Sequence, residues 1–303
     1  MDPRADDAPS ATGNLPQPHS RAGAQARRGH GRGNRGRAGA RLVSQAPVDR
    51  DSILELTELT KRFGGLLAVD SVSLQIKRGE VFALIGPNGA GKTTLFNSVT
   101  GMFRPTSGRV VFDGRVITGS KPHEVARLGI ARTFQNIRLF DFMTAVDNVK
   151  VGRHVRMKAK VWDSLFKLPR ERHEEERVTE EAMELLRFVG IGRFANHYAR
   201  NLPYGQQRRL EIARALATEP KLLLLDEPAA GFTPQEKVEL MELVRKILTR
   251  GITVFLIEHD MKLVMGISER IVVLDHGEKI AEGPPEEVRK DRRVIEAYLG
   301  KSA

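Results

Sequence analysis

The sequence predicts an α/β fold: a mostly parallel sheet covered by helices, with an antiparallel β piece at its N-terminal side and a helical subdomain in its middle. Three observations carry this. Val81–Ile85 (VFALI), Leu222–Leu225 and Ile252–Ile257 (ITVFLI) are short continuous apolar runs, the pattern of strands buried on both faces. They alternate with helical stretches, which argues for a parallel sheet covered on both sides. Ahead of them, Ile53–Leu59 and Val72–Ile76 alternate apolar and polar residues, as half-buried strands do.

In chain order, the run VFALI leads into a Gly-rich turn, and Thr93–Thr100 then reads as a helix. Arg109–Phe112 and Arg115–Ile117 flank Asp113-Gly114, a strong hairpin signal. Residues from about 142 to 218 read mainly as helix. Within them His173–Val189 places acids early and apolar residues late, as the helix dipole favours. Val155–Arg170 is basic, carries Trp162, Leu165, Phe166 and Leu168, and reads as an amphipathic insertion. Leu222–Leu225 follows as a buried strand, then a helix from Pro234 to about Thr249, then ITVFLI. Arg270–Asp275 and Lys279–Glu282 form a last hairpin around His276-Gly277, and 284–303 is expected to be a helical tail.

The 303 residues carry a net charge of +11, and residues 1–50, with nine Arg and four Asp, hold +5 of it. With nearly half the excess in one segment, a globally basic nucleic-acid reader is not the first reading. That segment is rich in Gly, Ala, Arg and Pro and has no apolar period, so it is expected to be a disordered extension. It lacks the apolar core of a signal peptide. Two readings stand for it: a tail that touches anionic lipid or RNA, or an extension without a role from a wrongly assigned start codon. No run of about 18 apolar residues occurs, so any membrane role works through a partner. Cysteine is absent, which excludes disulfides and thiolate metal sites.

The chemistry begins at Gly86-Pro87-Asn88-Gly89-Ala90-Gly91-Lys92-Thr93, a full match to G-x-x-x-x-G-K-[ST] between a buried strand and a helix. The glycines let successive backbone N–H groups turn inward on phosphate oxygens, and the helix N-terminus adds positive potential. Lys92 supplies a point charge for the β- and γ-phosphates, and the Thr93 hydroxyl suits Mg²⁺. The strand Leu222–Leu225 ends in Asp226-Glu227. A buried strand cannot carry carboxylates in its middle without partners, but beside a phosphate loop its end can use them. Asp226 is expected to hold Mg²⁺ through water, and Glu227 to polarise the attacking water as general base. Few groups are needed, because phosphoryl transfer rests mainly on positioning and charge neutralisation. His259, after the strand ITVFLI, can contact the γ-phosphate.

From about Leu54 to Glu282 these residues resemble the ABC ATPase family, an elaboration of the P-loop NTPase core. GPNGAGKT resembles its Walker A element, LLLLDEP its Walker B, and Ala229-Ala230-Gly231-Phe232 its D-loop. Gln135 in RTFQNIRLF resembles the Q-loop glutamine, which in that family binds Mg²⁺ and faces the permease, and His259 its switch histidine. Phe63 sits where the family stacks an aromatic on adenine. The resemblance thus implies catalytic roles for Glu227, His259 and Gln135. It implies an ATP site of Phe63 with Asn88, Gly89, Ala90, Gly91, Lys92, Thr93 and Thr94, and metal contacts from Thr93, Gln135 and Asp226. Leu202-Pro203-Tyr204-Gly205-Gln206-Gln207-Arg208 occupies the signature position, which in the family meets the opposite subunit's ATP. Here Pro203 replaces the usual Ser and Tyr204 the first Gly, so the γ-phosphate contact must come from the Gly205 N–H, Gln206 or the helix start.

The segment from LPYGQQRRLEIARALATEP to GFTPQE, with the tail EGPPEEVRKDRRVIEAYLG, is similar to the ATP-binding subunits of branched-chain amino acid importers. That resemblance implies ATP and Mg²⁺ as cofactors and a second ABC ATPase subunit, identical or not, as dimer partner. It further implies transmembrane permease subunits, indirectly a periplasmic or extracellular solute-binding protein, and a peripheral place on the cytoplasmic face of the membrane. A groove for the permease is expected between Asn136 and Asn148. The alternatives are a transport ATPase for another solute, a soluble ABC protein acting on ribosomes or DNA, and a regulatory subunit that binds ATP without turnover. One Walker A, one signature and no long heptad run weigh against the second. Glu227 and His259 weigh against the third.

Overall fold

The computed structural model describes residues 51–153 and 169–299. The extension over 1–50 and most of the insertion Val155–Arg170 lie outside the described residues.

Two sheets build the fold. In the antiparallel one, β1 (Ser52–Phe63) lies between β2 (Leu66–Lys77) and β4 (Ser107–Phe112), and β4 turns through Asp113-Gly114 into β5 (Arg115–Val116). The second has six strands, in the order β10-β9-β3-β8-β7-β6. Its members are β3 (Val81–Ile85), β6 (Ile130–Arg132), β7 (Leu222–Asp226), β8 (Thr253–Ile257), β9 (Arg270–Asp275) and β10 (Glu278–Gly283). All of its neighbours pair in parallel except β10, which returns antiparallel on β9 through the hairpin at His276-Gly277.

Alternate residues of each strand point to opposite faces, and the strands here bury both. Phe82, Leu84, Leu222, Leu224, Phe255 and Ile257 meet the antiparallel sheet (Leu54, Val72) and Leu95 and Phe96 of helix α1 (Lys92–Val99). Val81, Leu223, Leu225, Val254 and Leu256 meet helices α5 (Tyr204–Leu216) and α6 (Pro234–Thr249). Ala83, Ile85, Ile271 and Val273 meet helix α7 (Met261–Ile267), α8 (Pro285–Val288) and α9 (Arg292–Leu299) through Val264, Val288 and Val294. The helices α2 (Pro122–Leu128), α3 (Ala145–Arg153) and α4 (Pro169–Phe188) complete the set. Helix α6 begins where the sequence signals it: Thr233 accepts from the Glu236 N–H, and the Glu236 carboxylate accepts in return from the Thr233 N–H.

Strand β1 runs four residues beyond the Leu59 end expected from its alternation. Its pairing shifts between Leu56 and Leu59, and Glu58 takes φ of 47°. A bulge of this kind adds an unpaired residue, so the continuation to Phe63 is out of phase with the pattern before it.

The Phe255 ring is fully buried, 4.6 Å from the Phe96 ring and 5.6 Å from that of Phe82. Phe255→Ala is expected to cost about 3–5 kcal/mol in urea unfolding; a loss under about 1 kcal/mol would mean this contact layer is not the core.

Candidate active site

The phosphate loop is built by two glycines. Gly86 leaves β3 with φ of 149°, and a Cβ there would lie 2.1 Å from the Leu274 carbonyl oxygen. Gly91 caps α1 in the left-handed region, with φ of 98°, and a Cβ there would lie 2.2 Å from the Ala68 carbonyl oxygen. Only glycine fits at either point, because backbone from neighbouring strands presses against both. Between them Asn88 and Gly89 are exposed and Ala90 is buried. Thr93 is exposed at the helix start and Thr94 half-buried behind it. The Lys92 side chain folds back over its own loop, donating to the Gly86 carbonyl at 2.8 Å and the Pro87 carbonyl at 2.9 Å. Burial holds its ammonium below the usual lysine pKa, while the nearby charges of Glu227 and Asp226 push the other way. Lys92 and the acid pair therefore share one field.

Asp226 ends β7 and Glu227 follows it with φ of 47°, its N–H bonded to the Ile257 carbonyl at 2.9 Å. That turn swings the Glu227 carboxylate out of the sheet. Its Oε2 accepts from Gln135 Nε2 at 2.9 Å and lies 3.8 Å from His259 Nδ1. Gln135 and His259 are both exposed. The structure thus brings Lys92, Gln135, Asp226, Glu227 and His259 to one edge, the carboxyl ends of β3, β6, β7 and β8.

Phe63 lies at the end of β1, exposed, with its ring edge-on to Phe103 at 5.2 Å and the Lys61 ammonium 4.7 Å from its centre. Pro203 caps α5 without a side-chain bond, and its carbonyl accepts from Gln206 and Gln207 N–H. Pro203 and Tyr204 are exposed, Gly205 buried and Gln206 half-buried. No contact is described between this signature segment and the Lys92 loop.

Four residues given no role by the sequence shape the site. Arg132, on β6, binds Asp226 Oδ2 at 2.6 Å in a pair almost wholly shielded from solvent, and donates to Asn97 Oδ1 at 2.6 Å. Glu258 is buried, with its carboxyl pushed up by desolvation. It accepts backbone N–H groups from Ala229, His259 and Asp260, tying the loop after β7 to the loop after β8. Arg208 and Glu211, on α5, hold the backbone beside Gln135. A charged residue in an otherwise apolar strand was the one available signal for Arg132. Arg208 closes the signature segment, and nothing in the spacing singles out Glu258 or Glu211. On α9, desolvation raises the Tyr298 phenol, and the Gly86 backbone N–H opposes that rise.

Arg132→Ala would leave Asp226 buried and unpaired, so it is expected to lower stability by about 3–5 kcal/mol. Chemical denaturation of the variant measures this directly. Adding Asp226→Asn should recover part of the loss, and no recovery would show that the ion pair is not its source.

Known proteins resemble this chain in sequence and fold. The model of the ABC transporter family matches residues 69–230, and one described as branched-chain amino acid ATP-binding cassette transporter matches residues 278–303. The chain is 50% identical over 251 residues to the high-affinity branched-chain amino acid transport ATP-binding protein BraF of Pseudomonas aeruginosa, covering 82% of this chain and 98% of the relative. It is 46% identical, with the same coverage, to LivG of Escherichia coli K12, and 36% identical to a probable LivG of Methanocaldococcus jannaschii, covering 83% and 99%. Among solved structures, a nucleotide-free ATP-binding cassette from an ABC transporter is 35% identical with a TM-score of 0.72, covering 82% of this chain and all of that one. A dimeric post-hydrolysis cassette bound to ADP and Pi is 30% identical with a TM-score of 0.66, covering 77% and 99%. Sequence and fold agree, and the chain belongs to the ABC transporter family, as one of its ATP-hydrolysing cassettes.

Proposed function

We propose that this chain is the ATPase subunit of a branched-chain amino acid importer, closing with a second subunit around MgATP to drive a separate permease. The observation that carries the catalytic reading is the Glu227 carboxylate, 2.9 Å from Gln135 Nε2 and 3.8 Å from His259 Nδ1, within the field of Lys92. The solute is argued from the relatives, which are named for branched-chain amino acid transport, and from the C-terminal family match.

In this reading the loop N–H groups between Gly86 and Thr93 surround the phosphates. The crowding at Gly86 and Gly91 fits that role, since only residues without a Cβ can curl there against the backbone of β9 and β2. Lys92 exchanges its two loop carbonyls for phosphate oxygens. Phe63 offers its exposed ring to the adenine, while Asn88, Gly89, Ala90 and Thr94 line the loop. Thr93, Gln135 and Asp226 form a set of hard oxygen donors that fits Mg²⁺. Gln135 bonds Glu227 through its nitrogen and Arg132 occupies only Oδ2 of Asp226, so both keep an oxygen for the metal. Bound there, Mg²⁺ would neutralise phosphate charge. Glu227 takes the proton of the water that attacks the γ-phosphorus, leaving ADP and phosphate. Gln135 orients that carboxylate, and His259 reaches the γ-phosphate from the other side. Pro203, Tyr204, Gly205 and Gln206 face the nucleotide of the opposite subunit.

The permease would dock in a groove of about 370 Å³ between α2, α3 and α5, lined by Met102, Val125, Phe140, Val151 and Arg214. Of the range Asn136–Asn148, Phe140 lines it. A permease-bound ATPase would lie on the cytoplasmic side of the membrane, where ATP is, and no helix among the described residues is long and apolar enough to cross it. A solute-binding protein would be met only through the permease.

Glu227→Gln should keep ATP binding, lower turnover by about 100-fold or more, and hold an ATP-dependent dimer on size-exclusion chromatography. Unchanged hydrolysis would remove the base assignment. Lys92→Ala should lose nucleotide affinity in calorimetric titration; affinity equal to the parent would remove its phosphate role. For the solute, membrane vesicles carrying the chain with its permease and binding protein should take up leucine, isoleucine and valine only with ATP. Uptake of a different solute class instead would overturn that assignment.

A further inference from the structure

Tyr204 stands where the family signature has glycine, and its hydroxyl is not left to solvent. It accepts from Arg208 Nη2 at 2.8 Å and Nε at 3.2 Å, one helical turn along α5. Arg208 is buried, and the rest of its guanidinium grips the loop that carries Gln135: Nη1 donates to the Phe134 carbonyl at 2.7 Å and Nη2 to the Gln135 carbonyl. The same loop is held from the other side, where the Phe134 N–H donates to buried Glu211 at 3.2 Å. The Tyr204 ring also borders the loop after the acid pair, since a Cβ at Gly231 would lie 3.2 Å from it. A guanidinium is a rigid planar fork, so fixing one edge fixes the direction of the other.

We propose that Tyr204 is a positioning residue for hydrolysis, its hydroxyl orienting the Arg208 fork that sets Gln135 against Glu227. The link runs within one subunit: from Tyr204 Oη to Arg208, to the backbone of Gln135, and from Gln135 Nε2 to Glu227 Oε2 at 2.9 Å. The signature segment is thereby tied to the catalytic carboxylate of its own chain, in addition to facing a nucleotide across the dimer. A glycine at this place would have no group to make the tie. The idea rests on the proposed roles of Gln135 and Glu227 and deepens them.

The test is steady-state ATP hydrolysis by the full chain assembled with its permease, comparing Tyr204→Phe, Gln135→Ala and the double variant. Tyr204→Phe keeps the ring and removes the hydroxyl. Its kcat is expected to fall about five- to tenfold with KM for ATP within about twofold, because a group acting through Gln135 serves the chemical step rather than ground-state binding. Gln135→Ala should lower kcat further, and the double variant should be no slower than Gln135→Ala alone, since both changes cut one chain of contacts. An unchanged kcat for Tyr204→Phe, losses that multiply in the double variant, or a raised KM with kcat preserved would each overturn the link. The last would mean that Tyr204 acts directly on the opposite nucleotide. A silent Gln135→Ala overturns the reading of the site and the link with it, whereas a damaging Gln135→Ala beside a silent Tyr204→Phe overturns the link alone. Should Tyr204→Phe fail to fold, Arg208→Lys, which keeps the charge but loses the fork, is expected to show the same kcat loss and the same masking by Gln135→Ala.

Discussion

Everything at the catalytic edge depends on burial of a parallel sheet on both faces. Strands β3, β7 and β8 expose none of their side chains along their length, so no charged group can sit in their middles without a partner. Polar function is forced to the strand tips. Because these strands run parallel, their carboxyl ends lie together, and the phosphate loop, the acid pair and His259 emerge side by side. The left-handed turn at Glu227 and the backbone-crowded glycines of the loop are the local adjustments that aim each group once the sheet has gathered them. Arg132 is the exception inside the sheet. It is tolerated because Asp226 and Asn97 pair with its two terminal nitrogens, although its buried Nε has no partner.

Much of this was legible in the sequence, and the reasons are physical. The runs VFALI, LLLL and ITVFLI read as doubly buried strands, and each holds one, β8 starting one residue later at Thr253. Helix α6 spans Pro234–Thr249 as expected, since Thr233 and Glu236 mark its start. Short-range chemistry of this sort survives translation into pattern. What stayed hidden was side-chain pairing at long sequence separation. Arg132 reaches Asp226 across 94 positions and Arg208 reaches the Gln135 carbonyl across 73. No periodicity records which buried charges meet. Glu258, adjacent to His259, escaped for a different reason: its work is on backbone N–H groups, which leave no mark on residue identity.

The departures at Pro203 and Tyr204 illustrate how a motif can be altered without losing its place in the machine. Proline caps α5 with a fixed dihedral and gives up a hydroxyl. Tyrosine brings a new hydroxyl, which is directed inward to Arg208 rather than outward. The substituted segment gains attachment to its own subunit where the common form invests in the opposite one. Arg208 and Glu211 are part of the same arrangement, because they fill the space between α5 and the strand end at Phe134.

The final helix bears on how the molecule is assembled. Val294 is packed into the cluster that contains Ile85, and the Tyr298 phenol feels the backbone N–H of Gly86, the first residue of the loop that follows. Both contacts bear on the flank of β3 at the point where the loop takes off. The take-off of the phosphate loop is thus buttressed from α9 as well as from the sheet, so the helix farthest along the described chain bears on the first glycine of the nucleotide site.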